Sequence, residues 1–274
     1  MASFLGSWLV SEYVYNPDGS FAGINRQRRV LETLDNDRIR VTQTCDPAPE
    51  LASHPLGRFS GEWTFDLSVD GRVRRYHGPD VIGTGLTWSE GVMTGRGLWP
   101  KLGFNFTSFG ILATPDRQLT GGKFHYAGQM QANIVGVAVN EAGANDYPVF
   151  KDIRPEEISL SWRGTRRVFF ADGSLDAEST FSRRYQANTW SDADQVWKFD
   201  DHVDSGVQKV AFGNAVGLSK RYGVMLEAEL ADGPETILEA MEVFDPVGKN
   251  LVGLRKWYSD HVLTKVDVIF LKPE

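Results

Sequence analysis

The sequence predicts an all-β protein made of two tandem antiparallel up-and-down β-barrels related by internal duplication. Three observations carry this. Short segments of alternating or clustered β-branched and aromatic residues follow one another, separated by turn signals, with no long stretch of helical period. One pattern of residues occurs twice at nearly constant spacing. The length of 274 residues, with 41% hydrophobic and 12% aromatic residues, suits either one large all-β domain or two ordinary ones of ~100–200 residues.

Taken along the chain, Trp8 to Tyr15 forms the first clear strand, followed by Asp18-Gly19, a strong hairpin dipeptide that recurs as Asp70-Gly71, Asp172-Gly173 and Asp232-Gly233. Trp63 to Val69 and Val262 to Leu271 read as further strands. Cys45 to Gly57 holds Pro47, Pro49 and Pro55 and is an irregular connection. Pro155-Glu156-Glu157 and Glu235 to Met241 are each read as at most a short helix. About eight to ten strands fit in each half, and closing such a meander into a barrel removes its exposed edges.

The duplication is explicit. Ser7-Trp8 and Asp18-Gly19-Ser20 return as Ser161-Trp162 and Asp172-Gly173-Ser174, a shift of 154, with Val14 on Val168 and Arg29 on Arg183. Trp63, Phe65 and Asp66 match Trp197, Phe199 and Asp200 at 134, so the second copy is shorter by 20 residues in between. From Gly85-Leu86 on Gly217-Leu218 to Tyr126 on Tyr258 the shift is 132. The copies are expected at 1–145 and 155–274.

Gly6-Ser7-Trp8, opening the first strand of an all-β meander, resembles the Gly-x-Trp of the lipocalin and wider calycin superfamily; Ser161-Trp162 repeats it without the glycine. The whole chain is similar to bacterial proteins built from two lipocalin-like barrels, whose relatives bind or rearrange apolar molecules such as terpenoids and pigments. The resemblance implies that each Trp closes a barrel floor against a basic residue. Lys272 is the candidate in the second copy, while Gln131 to Glu141 offers none in the first.

Charge and motifs exclude other classes. A net charge of −7, from 29 Lys and Arg against 36 Asp and Glu, disfavours nucleic acid and anionic membranes as partners. Cys45 is the single cysteine, so no intramolecular disulfide forms. No apolar run reaches a membrane span, and Glu12 interrupts the N-terminal apolar stretch before a signal-peptide core is complete; a cytoplasmic location is expected. Gly57-Arg58-Phe59-Ser60-Gly61 is not a nucleophile elbow, and Gly83-Thr84-Gly85 is not a dinucleotide loop. No cofactor is expected. Asp200-Asp201-His202-Val203-Asp204 is read as a solvated acidic turn, lacking the glycine and distal glutamate of a calcium loop.

The copies differ in aromatic density. Trp88, Trp99, Phe104, Phe106 and Phe109 of the first stand against Lys220, Ala231, Thr236, Leu238 and Met241 of the second, pointing to an aromatic cavity in the first barrel for a small apolar or aromatic molecule. Phe104 and Phe106 share a strand face. The expected ligand-binding residues are Trp88, Trp99, Phe104, Phe106, Tyr126 and Arg75. Two functions compete. One is binding or carriage; the other is a cofactor-independent isomerase, cyclase or hydratase/lyase, with His125, His77 or Glu90 moving a proton. Alternation sets His125 opposite Phe124 and Tyr126, and Arg75 and His77 opposite Arg74 and Tyr76, so one face of each pair lines the interior. Arg26, Arg28, Arg29, Arg166, Arg167, Arg183 and Arg184 recur in matching strands, which suggests structural salt bridging or an interface. No metal site and no particular oligomeric state is implied.

Overall fold

The computed structural model describes residues 4–35, 38–150, 152–193, 195–204 and 206–274, without the side chains of Asp35, His202 and Asp204. The chain divides into two compact units, 1–149 and 150–274. Each contains one closed barrel of ten antiparallel strands.

In the first barrel the strands are β1 (Gly6–Tyr15), β2 (Phe21–Asp35), β3 (Arg38–Pro47), β4 (Gly61–Asp70), β5 (Val73–Pro79), β6 (Ile82–Ser89), β7 (Val92–Trp99), β8 (Phe104–Thr114), β9 (Arg117–Tyr126) and β10 (Gln129–Asn140). Each pairs with the next, and β1 closes onto β10 through Trp8 opposite Asn140 to Tyr15 opposite Asn133. The second unit opens with a one-turn helix, α1 (Pro155–Ile158). Its strands are β11 (Ser161–Phe170), β12 (Leu175–Gln186), β13 (Thr189–Asp192), β14 (Gln195–Asp204), β15 (Val207–Phe212), β16 (Ala215–Tyr222), β17 (Met225–Asp232), β18 (Thr236–Asp245), β19 (Asn250–Ser259) and β20 (Val262–Pro273). Here β11 closes onto β20.

The four Asp-Gly turns place glycine at positive φ, for example +92° at Gly19 and +58° at Gly71, where a Cβ is disfavoured. The segment from Glu235 to Met241 is not helical. Its Leu, Glu, Ala and Met are good helix formers, but Leu238 and Ala240 are buried beside partners on β17 and β19, and sheet packing overrides local preference.

The interiors follow the two-residue period. In β1, Trp8, Val10, Glu12 and Val14 are all buried on one face. Both tryptophans are buried and tied to the segment before their strand: Trp8 Nε1 donates to the Phe4 carbonyl at 3.0 Å, and Trp162 Nε1 to that of Ser159 at 2.8 Å. Lys272 does not take part, because it pairs with Arg163 on the outward face and is exposed. The cross-strand neighbours of the two tryptophans are instead Arg29 and Arg183.

The connection between β3 and β4 is the extra piece of the first copy. It forms two 3-10 turns, Pro49–Leu51 and Pro55–Phe59, the second begun by His54, whose Nδ1 accepts from the Leu56 amide. Leu51, Leu56 and Phe59 are buried, so the loop folds inward as a plug. The Phe59 ring packs against Trp63, Trp99, Phe104 and Phe124 at centroid distances of 5.0–5.9 Å. Such pairs add about 0.5–1.5 kcal/mol each beyond area burial.

Candidate functional site

The first barrel encloses a cavity of about 150 Å³. At the plug end, Phe59, Trp99, Phe106 and Phe124 line it, and Phe106 stacks on Phe124 at 6.1 Å and 28°. Further along the strands the wall becomes polar, with Glu12, Asn25, Gln27, Arg29, Gln43 and Gln118. Arg29 and Gln118 lie toward the Trp8 end, since Arg29 pairs with Trp8, and Gln118 pairs with Ala138, two residues from Trp8's partner Asn140.

Glu12 is the centre of the polar wall. Gln27 Nε2 donates to its Oε2 at 2.5 Å and Asn25 Nδ2 at 3.1 Å, while Arg29 reaches Oε1 at 3.3 Å. Burial pushes the Glu12 carboxyl above its ordinary pKa, and Arg29, Asn25 and Gln27 offset part of that rise. Three buried polar atoms on this wall have no hydrogen-bond partner among the described residues: Asn25 Oδ1, Arg29 Nε and Gln118 Nε2. Arg74 also lines the cavity; its Nε donates to Thr87 Oγ1, and its guanidinium lies 5.6 Å from the Phe4 ring. Cys45 is part of the lining, and burial pushes its thiol up to about 12.

The expected site residues divide by strand face. Trp99 and Phe106 line the cavity. Phe104 is buried beside it, stacked on Phe59 at 5.7 Å, and Tyr126 is half exposed at the rim with its ring 5.9 Å from Phe104. Trp88 is buried on the face opposite the lining residue Met93, with its Nε1 donating to Thr94. The geometry brings none of the expected proton-moving groups to the cavity. His125 alternates with the lining residue Phe124 and so faces away. His77 is exposed and bonds Ser68 Oγ at 2.8 Å; Arg75 is exposed, 3.6 Å from Asp70. Arg74 and Tyr76, on the other face of the same strand, are the ones inside. Glu90 sits exposed in the turn before β7. Among the described residues no cluster of three or more His, Cys, Asp or Glu could hold a metal; the side chains of His202 and Asp204 lie outside them.

The second barrel shows what the same positions do when filled. Arg183 Nε and Nη2 donate to Asp192 at 2.5 and 2.8 Å, and its Nη1 and Nη2 donate to Glu242 at 2.5 and 2.7 Å. Arg255 bonds Asp192 and approaches Glu242 at 3.5 Å. Trp197 Nε1 donates to Asp192 at 2.9 Å, and the Arg255 guanidinium lies 5.1 Å from the rings of both Trp197 and Phe212. Arg166 pairs with the buried Asp267 at 2.8 Å. Burial works against the charge on Arg183, yet Asp192 and Glu242 hold its pKa well above the ordinary value.

Strand pairing carries this network onto the first barrel. Val14 pairs with Ile134 and Val168 with Asp267; Ile134 pairs with Gly122 and Asp267 with Arg255; Gly122 pairs with Ser108 and Arg255 with Ala240. Two residues further along β8 and β18 stand Gly110 and Glu242. Arg29 pairs with Gln43 as Arg183 pairs with Asp192. So Asp192, Glu242, Arg255 and Asp267 correspond to Gln43, Gly110, Gly122 and Ile134, and Arg166 to Glu12. The same walk puts Phe124, not His125, opposite Trp257: β9 and β19 correspond one residue off the constant shift of the preceding strands. The arginines recurring in both copies are therefore structural ion pairs in several cases, including Arg28 with Glu141 and Arg167 with Glu178.

No protein-family model and no curated protein matches the chain. Among solved structures it is similar to a protein of unknown function from the DUF3598 family of Nostoc punctiforme, with a TM-score of 0.54 and 12% identity over 99% of this chain and 96% of that one. That likeness is one of fold. Transferrin binding protein B from Neisseria meningitidis (TM-score 0.24, 7% identity, 98% and 75% covered) and a double mutant of the Haemophilus parasuis protein (0.27, 8%, 98% and 76%) are more distant and support no argument. No helix among the described residues is long and apolar enough to cross a membrane.

Proposed function

We propose that the protein binds one small, mainly aromatic or apolar molecule in its first barrel, as a lipocalin-like binding or carrier module whose second barrel is structural. The supporting observation is the contrast between two matching interiors. Charged side chains occupy the second, whereas at the corresponding positions of the first Gln43 and Ile134 border the cavity and Gly110 and Gly122 carry no side chain. A cavity of roughly 150 Å³ has room for a molecule of the size of benzene. Native mass spectrometry of freshly purified protein is expected to show a small adduct that Phe106→Trp, which fills the cavity, removes. An adduct unchanged in Phe106→Trp contradicts the reading.

Glu12 favours a second reading, a cofactor-independent isomerase, cyclase or lyase. It is a carboxyl of raised pKa on the cavity wall, the setting in which such a group exchanges protons with a bound substrate. Under carriage, Glu12→Gln retains the wild-type adduct mass. Under turnover it accumulates a different mass, that of unreacted substrate.

A further inference from the structure

Arg183 and Arg29 occupy the same place in the two barrels, each beside its motif tryptophan, but their surroundings differ. Arg183 is gripped by two carboxylates, Asp192 and Glu242. At Arg29 both are gone, replaced by Gln43 and Gly110, and among the described residues the carboxyl it meets is that of Glu12, which is also bonded by Gln27 and Asn25. A Cβ on Gly110 would point at Met93 and Phe4, both of which line the cavity. The position that supplies a carboxylate in the second barrel is thus covered in the first by the flexible end of Met93, itself part of the cavity lining. Two cations, Arg29 and Arg74, face that cavity against one carboxyl, and two of the three unpartnered atoms on its wall, Arg29 Nε and Gln118 Nε2, are donors.

We infer that the ligand carries a carboxylate, which takes at Arg29 the place that Glu242 takes at Arg183 while its ring or unsaturated chain lies against Phe106 and Phe124. The inference rests on the reading of the cavity as a binding site and names the class of molecule: a small aromatic or unsaturated carboxylic acid. Guanidinium and carboxylate form paired, charge-assisted hydrogen bonds, which discriminate against neutral isosteres.

Isothermal titration with benzoate, benzamide and toluene at pH 7.5 separates the two readings. Benzoate is expected to bind at least about tenfold tighter than the other two, the worth of a hydrogen bond to a charged group. Arg29→Gln is expected to abolish that preference. Gly110→Glu, which rebuilds the second barrel's internal carboxylate, is expected to shut benzoate out by occupying Arg29, and it tests the assignment independently if Arg29→Gln does not fold. Toluene or benzamide binding as tightly as benzoate overturns the carboxylate and leaves the cavity standing. Benzoate binding that neither variant weakens overturns the role of Arg29. Failure of all three probes at millimolar concentration overturns the binding site itself.

Discussion

Glu12 is held out of water by Asn25, Gln27 and Arg29, and its titration is a local probe of the first barrel. Burial raises its pKa in the folded protein above the ordinary 4.5. A carboxyl with a raised folded pKa contributes stability that is present below the unfolded value and lost as the pH rises through the folded one. Urea midpoints of the wild type relative to Glu12→Gln are therefore expected to fall as the pH is raised from 4 to 7; a pH-independent difference contradicts the shift. Glu12 was legible in part. It breaks an apolar strand and shares its face with Trp8, Val10 and Val14, which already points it inward. Arg75, His77 and His125 illustrate the opposite case: alternation divides each strand into two faces, but with polar residues on both, as in Arg72 to His77, nothing in the strand itself says which face is buried.

The plug between β3 and β4 makes the aromatic end of the cavity. Phe59→Ala removes four ring contacts at once and is expected to cost about 3–5 kcal/mol in denaturant titration, as aromatic truncation in a core does, and to widen the cavity toward the rim. A loss below about 1 kcal/mol would mean the plug does not hold the barrel end. The prolines mark this segment as irregular. Its inward fold is announced only by Leu51, Leu56 and Phe59, apolar residues in an otherwise polar connection, and their significance emerges once the barrel mouth they cover is in place. The strand β18 was obscured for the converse reason, because residues that favour helix in isolation are committed to a sheet by partners more than ten positions away.

Across the molecule, duplication, strand content and turns were readable because each leaves a mark in the sequence at short range or at fixed offset. The ionic network was not, since its members lie on β12, β13, β18 and β19 and meet only when the barrel closes. Asp192→Ala is expected to destabilise the protein by about 3–5 kcal/mol, the consequence of leaving two buried guanidinium groups to share the single carboxylate of Glu242. Gln43→Ala, at the corresponding position of the first barrel, strands no charge and should cost about 1 kcal/mol. Differential scanning calorimetry of the two variants checks the asymmetry, and equal losses would contradict it. The same network has a bearing on how the chain finds its fold. A slip of one residue in any of those four strands turns its inward side chains outward, and in the second barrel that removes one member from a network of two guanidinium groups and two carboxylates, leaving the buried charges unbalanced. Burying an unbalanced charge is costly, so the network adds a penalty against a shifted register to the one that the buried apolar face already sets.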